Sequence, residues 1–185
     1  MDTREMVINL IIYVILPLWG LSGLLDWFCH RATKIEETTG LRESLLHSLM
    51  GLQIGLPIVL CIVFEVNVMV LMICLASLIA HEVVAHMDVH IATPEREISI
   101  WEVHAHNYLA TIPFYSFALI AVLKWEEFIS LLTFNWAGGF GFELRPVPIG
   151  GAGYLPAYLA FMCVVCVFPY IEELYRCLRG RRSVA

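Results

Sequence analysis

The chain has 185 residues, of which 59% are hydrophobic and only 15% are charged, and its formal net charge is −6. Soluble domains carry roughly 45–50% apolar and about 25% charged residues, so this composition excludes an ordinary soluble protein. The apolar residues lie in long runs, and we therefore predict an all-α polytopic membrane bundle with one integral-membrane domain over residues 1–185. The net charge says little about partners beyond the lipid bilayer, and we expect no nucleic-acid partner.

Five apolar runs each approach the roughly 20 residues that a helix needs to cross a bilayer. They cover residues 6–27, 45–64, 66–86, 102–123 and 154–170. We predict one hairpin over about 6–64, a second over about 66–123, an external loop at 124–153, a last span at 154–172 and a basic cytoplasmic tail at 173–185. The external loop starts with Trp-Glu-Glu-Phe, which is typical of an interfacial helix. An alternative makes residues 49–79 one long bent helix.

Lysine and arginine are unevenly distributed between the two sides of these five spans. The side of the last residues holds eight, namely Arg31, Lys34, Arg42, Arg96, Arg176, Arg179, Arg181 and Arg182, and the other side holds three, namely Arg4, Lys124 and Arg145. Because cytoplasmic loops are enriched in basic residues, we expect the N-terminus outside and the C-terminus in the cytoplasm. All seven histidines fall on the same predicted cytoplasmic side, in or beside the loops at 26–47 and 81–106.

Most of the histidines belong to one pattern that is written twice. The first copy is Asp26-x3-His30 followed by Glu43-x3-His47, and the second is His86-x3-His90 followed by Glu102-x3-His106. Side chains four residues apart lie on one face of a helix, so each pair can present two ligands together. Imidazole and carboxylate form the ligand set of iron, manganese and zinc sites. The repeat therefore predicts a site for two metal ions, with the catalytic residues themselves unknown.

Four further residues are candidate ligands, and the sequence leaves their roles open. They are His81, Asp88, His104 and Glu37. His81 and Asp88 share a helix face that is distinct from the face of His86 and His90, and only one face can point fully into the bundle. His104 lies far around an ideal helix from its neighbouring ligands.

Two carboxylates of the predicted loops have alternative roles. Glu37 is either a bridging ligand or a solvated loop acid. Glu102 is either a ligand or part of a capping box with Ser99.

The chain resembles the membrane-bound di-iron superfamily of fatty-acid desaturases and hydroxylases. The resemblance rests on His30 and His47 around the first cap, and on His86-x3-His90 and His104-x-His106 around the second. The full order is also similar to that of small bacterial integral-membrane proteins, here Asp26, His30, Arg31, Glu43, His47, His81, Glu82, Glu102, His104 and His106. The resemblance implies a bacterial inner membrane, two iron ions at the cytoplasmic boundary, O2-dependent hydroxylation or desaturation of a lipid or other hydrophobic substrate, and an external electron donor.

Two other classes of function stay open at this point. The first is a zinc-dependent membrane hydrolase, in which a metal-bound water is the nucleophile. The second is a membrane subunit that binds metal without catalysis. The metal is expected to be iron, with manganese and zinc as alternatives.

Overall fold

Six helices make up the described part of the chain. The computed structural model describes residues 2–136 and 139–183, without the side chains of 181–183. Five helices are long and apolar enough to cross a membrane, and they are α1 (Thr3–Thr33), α2 (Leu41–Val63), α3 (Val68–Ala92), α4 (Ile100–Leu123) and α6 (Tyr154–Gly180). The short helix α5 (Trp125–Leu132) lies where the interfacial helix was predicted. The all-α bundle of five long helices is thus confirmed, and the alternative of one helix over 49–79 is wrong because α2 ends at Val63.

The outer faces of the bundle are covered with large apolar side chains. Leu52 is 64% exposed, Ile79 58% and Val122 66%, although each lies within a long apolar helix. Such a surface is unfavourable in water and favourable against lipid chains. Helix length, composition and this surface together indicate an integral membrane protein.

The five long helices pack in pairs around the site. Helix α1 packs along α4, and α2 packs along α3 as a hairpin. Helix α6 then contacts α1 and α2, together with the cap between them, which contains a short 3₁₀ turn at Ile35–Glu37. The helix ends at 33 and 41 are therefore close to the C-terminal half of α6.

Two wider turns interrupt the long helices, and each precedes a proline. A π-helical turn at Ile11–Ile15 comes before Pro17 in α1, and another at Cys163–Val167 comes before Pro169 in α6. Proline has no N–H to donate and its ring crowds the preceding turn, so the backbone adopts a local π geometry instead of breaking. Both helices therefore continue through the proline to the end of the bundle that carries the histidines.

Helix α6 continues beyond the predicted end of the last span. The sequence prediction ended that span at 172 and began a tail at 173, whereas the structure continues the helix to Gly180. The extension packs on the first cap, because Arg176 forms an ion pair with Glu36 and Gly180 lies so near the Glu36 carbonyl that a Cβ atom would be 2.9 Å from its oxygen. Residue 173 is therefore buried inside the bundle rather than exposed in a tail.

Candidate metal centre

Helices α1 and α4 bring four predicted ligands together. Asp26 and His30 lie one turn apart on α1, and Glu102 and His106 lie one turn apart on α4. His30 Nε2 is 3.6 Å from Asp26 Oδ1 and 3.3 Å from Glu102 Oε1. His106 Nε2 is 3.0 Å from Asp26 Oδ1. One ligand atom from each of the four lies within 4.8 Å of the others, a spacing that suits a metal ion.

A second group shares His30 and extends onto α2 and α3. His30, Glu43 and His47 have ligand atoms within 4.8 Å of one another. The rings of His30 and His47 are stacked, with centroids 4.5 Å apart and planes at 10°. Across from them, His47 Nε2 lies 3.2 Å from Oδ1 of the buried Asp88 on α3. We refer to Asp26, His30, Glu43, His47, Asp88, Glu102 and His106 as the acidic histidine cluster.

One carboxylate on α6 orients both stacked histidines. Glu173 is fully buried, and its two oxygens lie 3.0 Å from His30 Nδ1 and 3.1 Å from His47 Nδ1. Because an ionised carboxylate only accepts hydrogen bonds, both Nδ1 atoms are the protonated nitrogens of their rings. In the neutral form of each ring the lone pair is then on Nε2, the atom that faces the cluster, and this is the form that binds a metal.

Arg96 connects two carboxylates of the cluster from the second cap. Its Nε donates to Glu43 at 3.1 Å and its Nη1 to Glu102 at 2.9 Å, while Nη2 contacts both. Burial alone would lower the pKa of the guanidinium, but the hydrogen bonds and charges of Glu102 and Glu43 outweigh burial and raise this pKa above its ordinary value. Arg96 thus neutralises part of the cluster's negative charge and connects the second cap to α2.

The two possible roles of Glu102 are combined in the structure. The Ser99 hydroxyl accepts a hydrogen bond from the Glu102 backbone N–H at 3.2 Å and so caps α4. The Glu102 carboxylate does not return to the Ser99 backbone, as it would in a capping box, and instead contacts His30 and Arg96. The cap fixes the first turn of α4, and this turn places the carboxylate in the cluster.

The buried polar atoms of the cluster are those that a metal ion would satisfy. Asp26 Oδ1, Asp88 Oδ1, His30 Nε2 and His47 Nε2 are buried without a well-formed hydrogen bond. The four carboxylates of the cluster and the adjoining Glu173 are all buried, and among the described residues Arg96 is the one guanidinium that pairs with any of them, which leaves an excess of four negative charges when the imidazoles are neutral. Unpaired buried charge is strongly unfavourable, and two divalent cations would balance this excess. The donor set therefore fits metal binding.

The remaining sequence candidates lie outside the cluster. On α3 the buried stripe that includes Leu71, Cys74 and Leu78 continues into His81 and Asp88, so this face points inward and His86 and His90 are exposed. His104 is exposed on the opposite side of α4 from Glu102. Glu37 is exposed and pairs with Lys34 at 3.4 Å, as a solvated loop acid does. His81 is buried near the cluster, and its Nδ1 has no hydrogen bond.

Sequence reasoning missed Glu173 altogether. The carboxylate is 126 residues from His47 along the chain, and no local spacing connects them. The available signal was the Glu172-Glu173 pair, because two acids directly after an apolar span are unusual at membrane depth. Arg96 entered the sequence analysis only as one of eight basic residues on this side, and its contacts with Glu43 and Glu102 emerge from the fold.

A cavity of about 310 Å³ adjoins the cluster on the side of α2, α3 and α4. Its walls include Asp26, His47, Asp88 and His106 together with His81 and Tyr170. A second, mainly apolar cavity of about 380 Å³ lies between α2 and α6. Trp19, Gly51 and Tyr170 line both cavities, so the apolar groove and the cluster cavity adjoin each other at these residues.

Comparison of the chain with protein-family models, with curated proteins and with solved structures found no match. The functional conclusion therefore rests on the residues of the cluster.

Proposed function

We propose that this protein is a membrane-embedded oxidoreductase with a dinuclear metal centre, and that the two metal ions are iron. The observation that carries the proposal is the pair of overlapping His/carboxylate groups, in which Asp26 Oδ1 and the Nε2 atoms of His30 and His47 are buried and lack hydrogen bonds. Non-haem iron and manganese favour mixed imidazole and carboxylate ligands, and helical bundles hold two such ions between facing helices. Of the residues that carry the resemblance to the membrane desaturases and hydroxylases, His30, His47 and His106 lie in the cluster, whereas His86, His90 and His104 do not, so the assignment rests on the cluster itself.

The distances between the ligand atoms divide the cluster into two sets of proposed ligands. Asp26, Glu102 and His106 would serve one ion, and Glu43, His47 and Asp88 the other, with His30 between the two sets. When bound, the two ions would supply the redox chemistry that activates O2 for attack on a C–H bond. The chain contributes the surroundings, because Glu173 holds the Nδ1 protons of two histidines and Arg96 balances charge.

The proposed substrate is a lipid or another hydrophobic chain. The groove between α2 and α6 is lined mainly by apolar residues, and it comes next to the cluster cavity at Tyr170 and Gly51. An alkyl chain in this groove would extend toward the cluster without leaving apolar surroundings. The two electrons for such a reaction would come from an external donor, since the sequence shows no flavin, haem or rubredoxin motif.

The proposed orientation places the cluster and the C-terminus in the cytoplasm of a bacterium, with the protein in the inner membrane. It rests on the distribution of eight basic residues on the cluster side against three on the other. A cytoplasmic cluster is also within reach of soluble reductases.

Elemental analysis of the purified protein, expressed with ample iron, tests the proposal. We expect about two iron ions per chain and visible absorption from the pair, as in other dinuclear carboxylate bundles. Iron or manganese well below one ion per chain would contradict the proposal. Zinc as the sole metal, without visible absorption, would favour a zinc hydrolase instead.

A leucine at position 55 is expected to shorten the groove without disturbing the cluster. Gly55 lines the groove, and a Cβ at this position would meet no atom within 4 Å, so Gly55→Leu adds volume without a clash. With iron-loaded protein, a reductant and straight-chain alkanes of increasing length, the preferred chain length should decrease while the metal content stays constant. Gly141→Leu is the matched control, since its surroundings are equally open and it does not line the groove. An unchanged length profile in Gly55→Leu would place the substrate elsewhere.

A further inference from the structure

A separate cavity lies at the opposite end of the bundle from the cluster. It has a volume of about 90 Å³, and its walls are formed mainly by isoleucines of α1 and α2, such as Ile8, Ile11 and Ile58. Three charged residues line it, Arg4 before the first π-turn, Lys124 after α4 and Arg145 in the loop before α6. The cavity thus combines apolar walls with a cationic rim.

The charged residues that line this cavity are all basic, although the same end of the bundle also carries acidic residues. The same end of the bundle carries six acidic residues, Asp2, Glu5, Glu65, Glu126, Glu127 and Glu143, and none of them lines the cavity. All three basic residues of this end do line it. A face with more acids than bases therefore presents only cations to the cavity, and such a rim attracts an anion.

The three cations are incompletely neutralised by the chain. Lys124 pairs with Glu127 at 3.1 Å, and Arg145 pairs with Glu65 at 3.6 Å. Arg4 forms no ion pair within residues 2–136 and 139–183. The rim thus retains an excess positive charge that an anionic group would satisfy.

The apolar part of the cavity continues into the interior of the bundle. Five residues, namely Leu16, Ile58, Cys61, Ser116 and Ile120, also line an adjoining cavity of about 50 Å³. The one hydroxyl among them, on Ser116, is already bonded to the Ile112 carbonyl at 2.8 Å. None of the five shared residues offers a free hydroxyl, and the one unpaired polar atom in the wall of the smaller cavity that the described residues show is Trp19 Nε1. The continuation is narrow, so it suits one alkyl chain rather than two.

We propose that this cavity binds a single-chain anionic amphiphile, with its carboxylate at Arg4, Lys124 and Arg145 and its alkyl chain between α1, α2 and α4. The site lies at the other end of the helices from the acidic histidine cluster. It is independent of the proposed redox function, because none of its residues belongs to the cluster.

The test uses the full-length protein in nanodiscs of zwitterionic lipid. Equilibrium dialysis with labelled hexanoate, corrected for empty nanodiscs, measures binding, and hexanol and hexyltrimethylammonium are compared as neutral and cationic probes. A six-carbon chain is chosen because the two cavities are small, about 90 and 50 Å³. We expect saturable binding of hexanoate, and weaker binding of both other probes by about tenfold or more, since charge-assisted hydrogen bonds are lost. Equal binding of all three probes would overturn the proposal.

Charge variants and crosslinking locate the site. The double variant Arg4→Gln/Lys124→Gln should weaken hexanoate binding by about tenfold, whereas Arg42→Gln, which removes an exposed cation at the cluster end, should leave it unchanged. A hexanoate with a terminal diazirine should label Leu16, Ile58 or Ile120 on α1, α2 and α4. Unchanged affinity in the double variant, or labels confined to the lipid-facing surface, would overturn the assignment. Because the experiment measures binding of the probe, its result does not depend on whether the cluster holds metal.

Discussion

The variants His47→Ala and His106→Ala are each expected to lose one of the two proposed metal ions and to keep the second. The two histidines belong to different ligand groups, with His47 beside Glu43 and His106 beside Asp26. Metal content should therefore fall from about two ions per chain to about one in either variant, and further in the double variant. His30→Ala should lose more than either single variant, because His30 belongs to both groups. Elemental analysis of the purified variants measures these values.

Two exposed histidines are the matched controls for this experiment. His90 and His104 carry the same side chain at the same end of the bundle, but both are exposed outside the cluster. Replacing either by alanine should leave the metal content at the wild-type value. If His47→Ala and His106→Ala keep their metal, or if the controls lose it equally, the cluster is not the metal site.

The substitution Glu173→Gln is expected to weaken metal binding by about 10- to 100-fold, although Glu173 is not a proposed ligand. The amide that this substitution introduces has one oxygen that accepts and one nitrogen that donates, so it can receive a proton from only one of the two histidines. The other histidine would accept from the amide at Nδ1 and would carry its proton on Nε2. That tautomer cannot bind a metal through Nε2, which is the atom that faces the cluster.

The neighbouring residue provides the control for Glu173→Gln. Glu172 contacts Trp27 and Arg31 outside the cluster, so Glu172→Gln changes the same charge on the same turn without touching either histidine. Competition with a chelator gives the metal affinity, and thermal unfolding of the metal-free proteins shows whether the fold is affected. Equal affinities of Glu173→Gln and wild type would contradict the orienting role. An equal loss in Glu172→Gln would point to general charge rather than tautomer control.

The sequence predicted the parts of the cluster that depend on local periodicity. Asp26/His30, Glu43/His47 and Glu102/His106 are each one helical turn apart, and the structure brings all three pairs together. Such spacing follows from helix geometry alone and needs no knowledge of how the helices pack. The five spans were predictable for a similar reason, because the length of an apolar run reflects the thickness of the bilayer.

The rest of the cluster depends on tertiary packing, which spacing does not report. On α3 the repeat favoured His86 and His90, but the rotation of the helix is set by its buried stripe, which continues into His81 and Asp88. Following that stripe from Leu71 would have chosen the correct face. Glu173 reaches the histidines only because α6 continues past the predicted end of the span and packs on the first cap.

The position of Glu173 in the chain has a consequence for biogenesis. The five spanning helices are synthesised in order, and the ligands on α1 to α4 enter the membrane before α6 exists. Until α6 packs against them, His30 and His47 lack the acceptor that fixes their tautomers. On the proposed function, metal loading should therefore follow insertion of the last helix, so that a half-inserted chain does not acquire metal ions at an incomplete site.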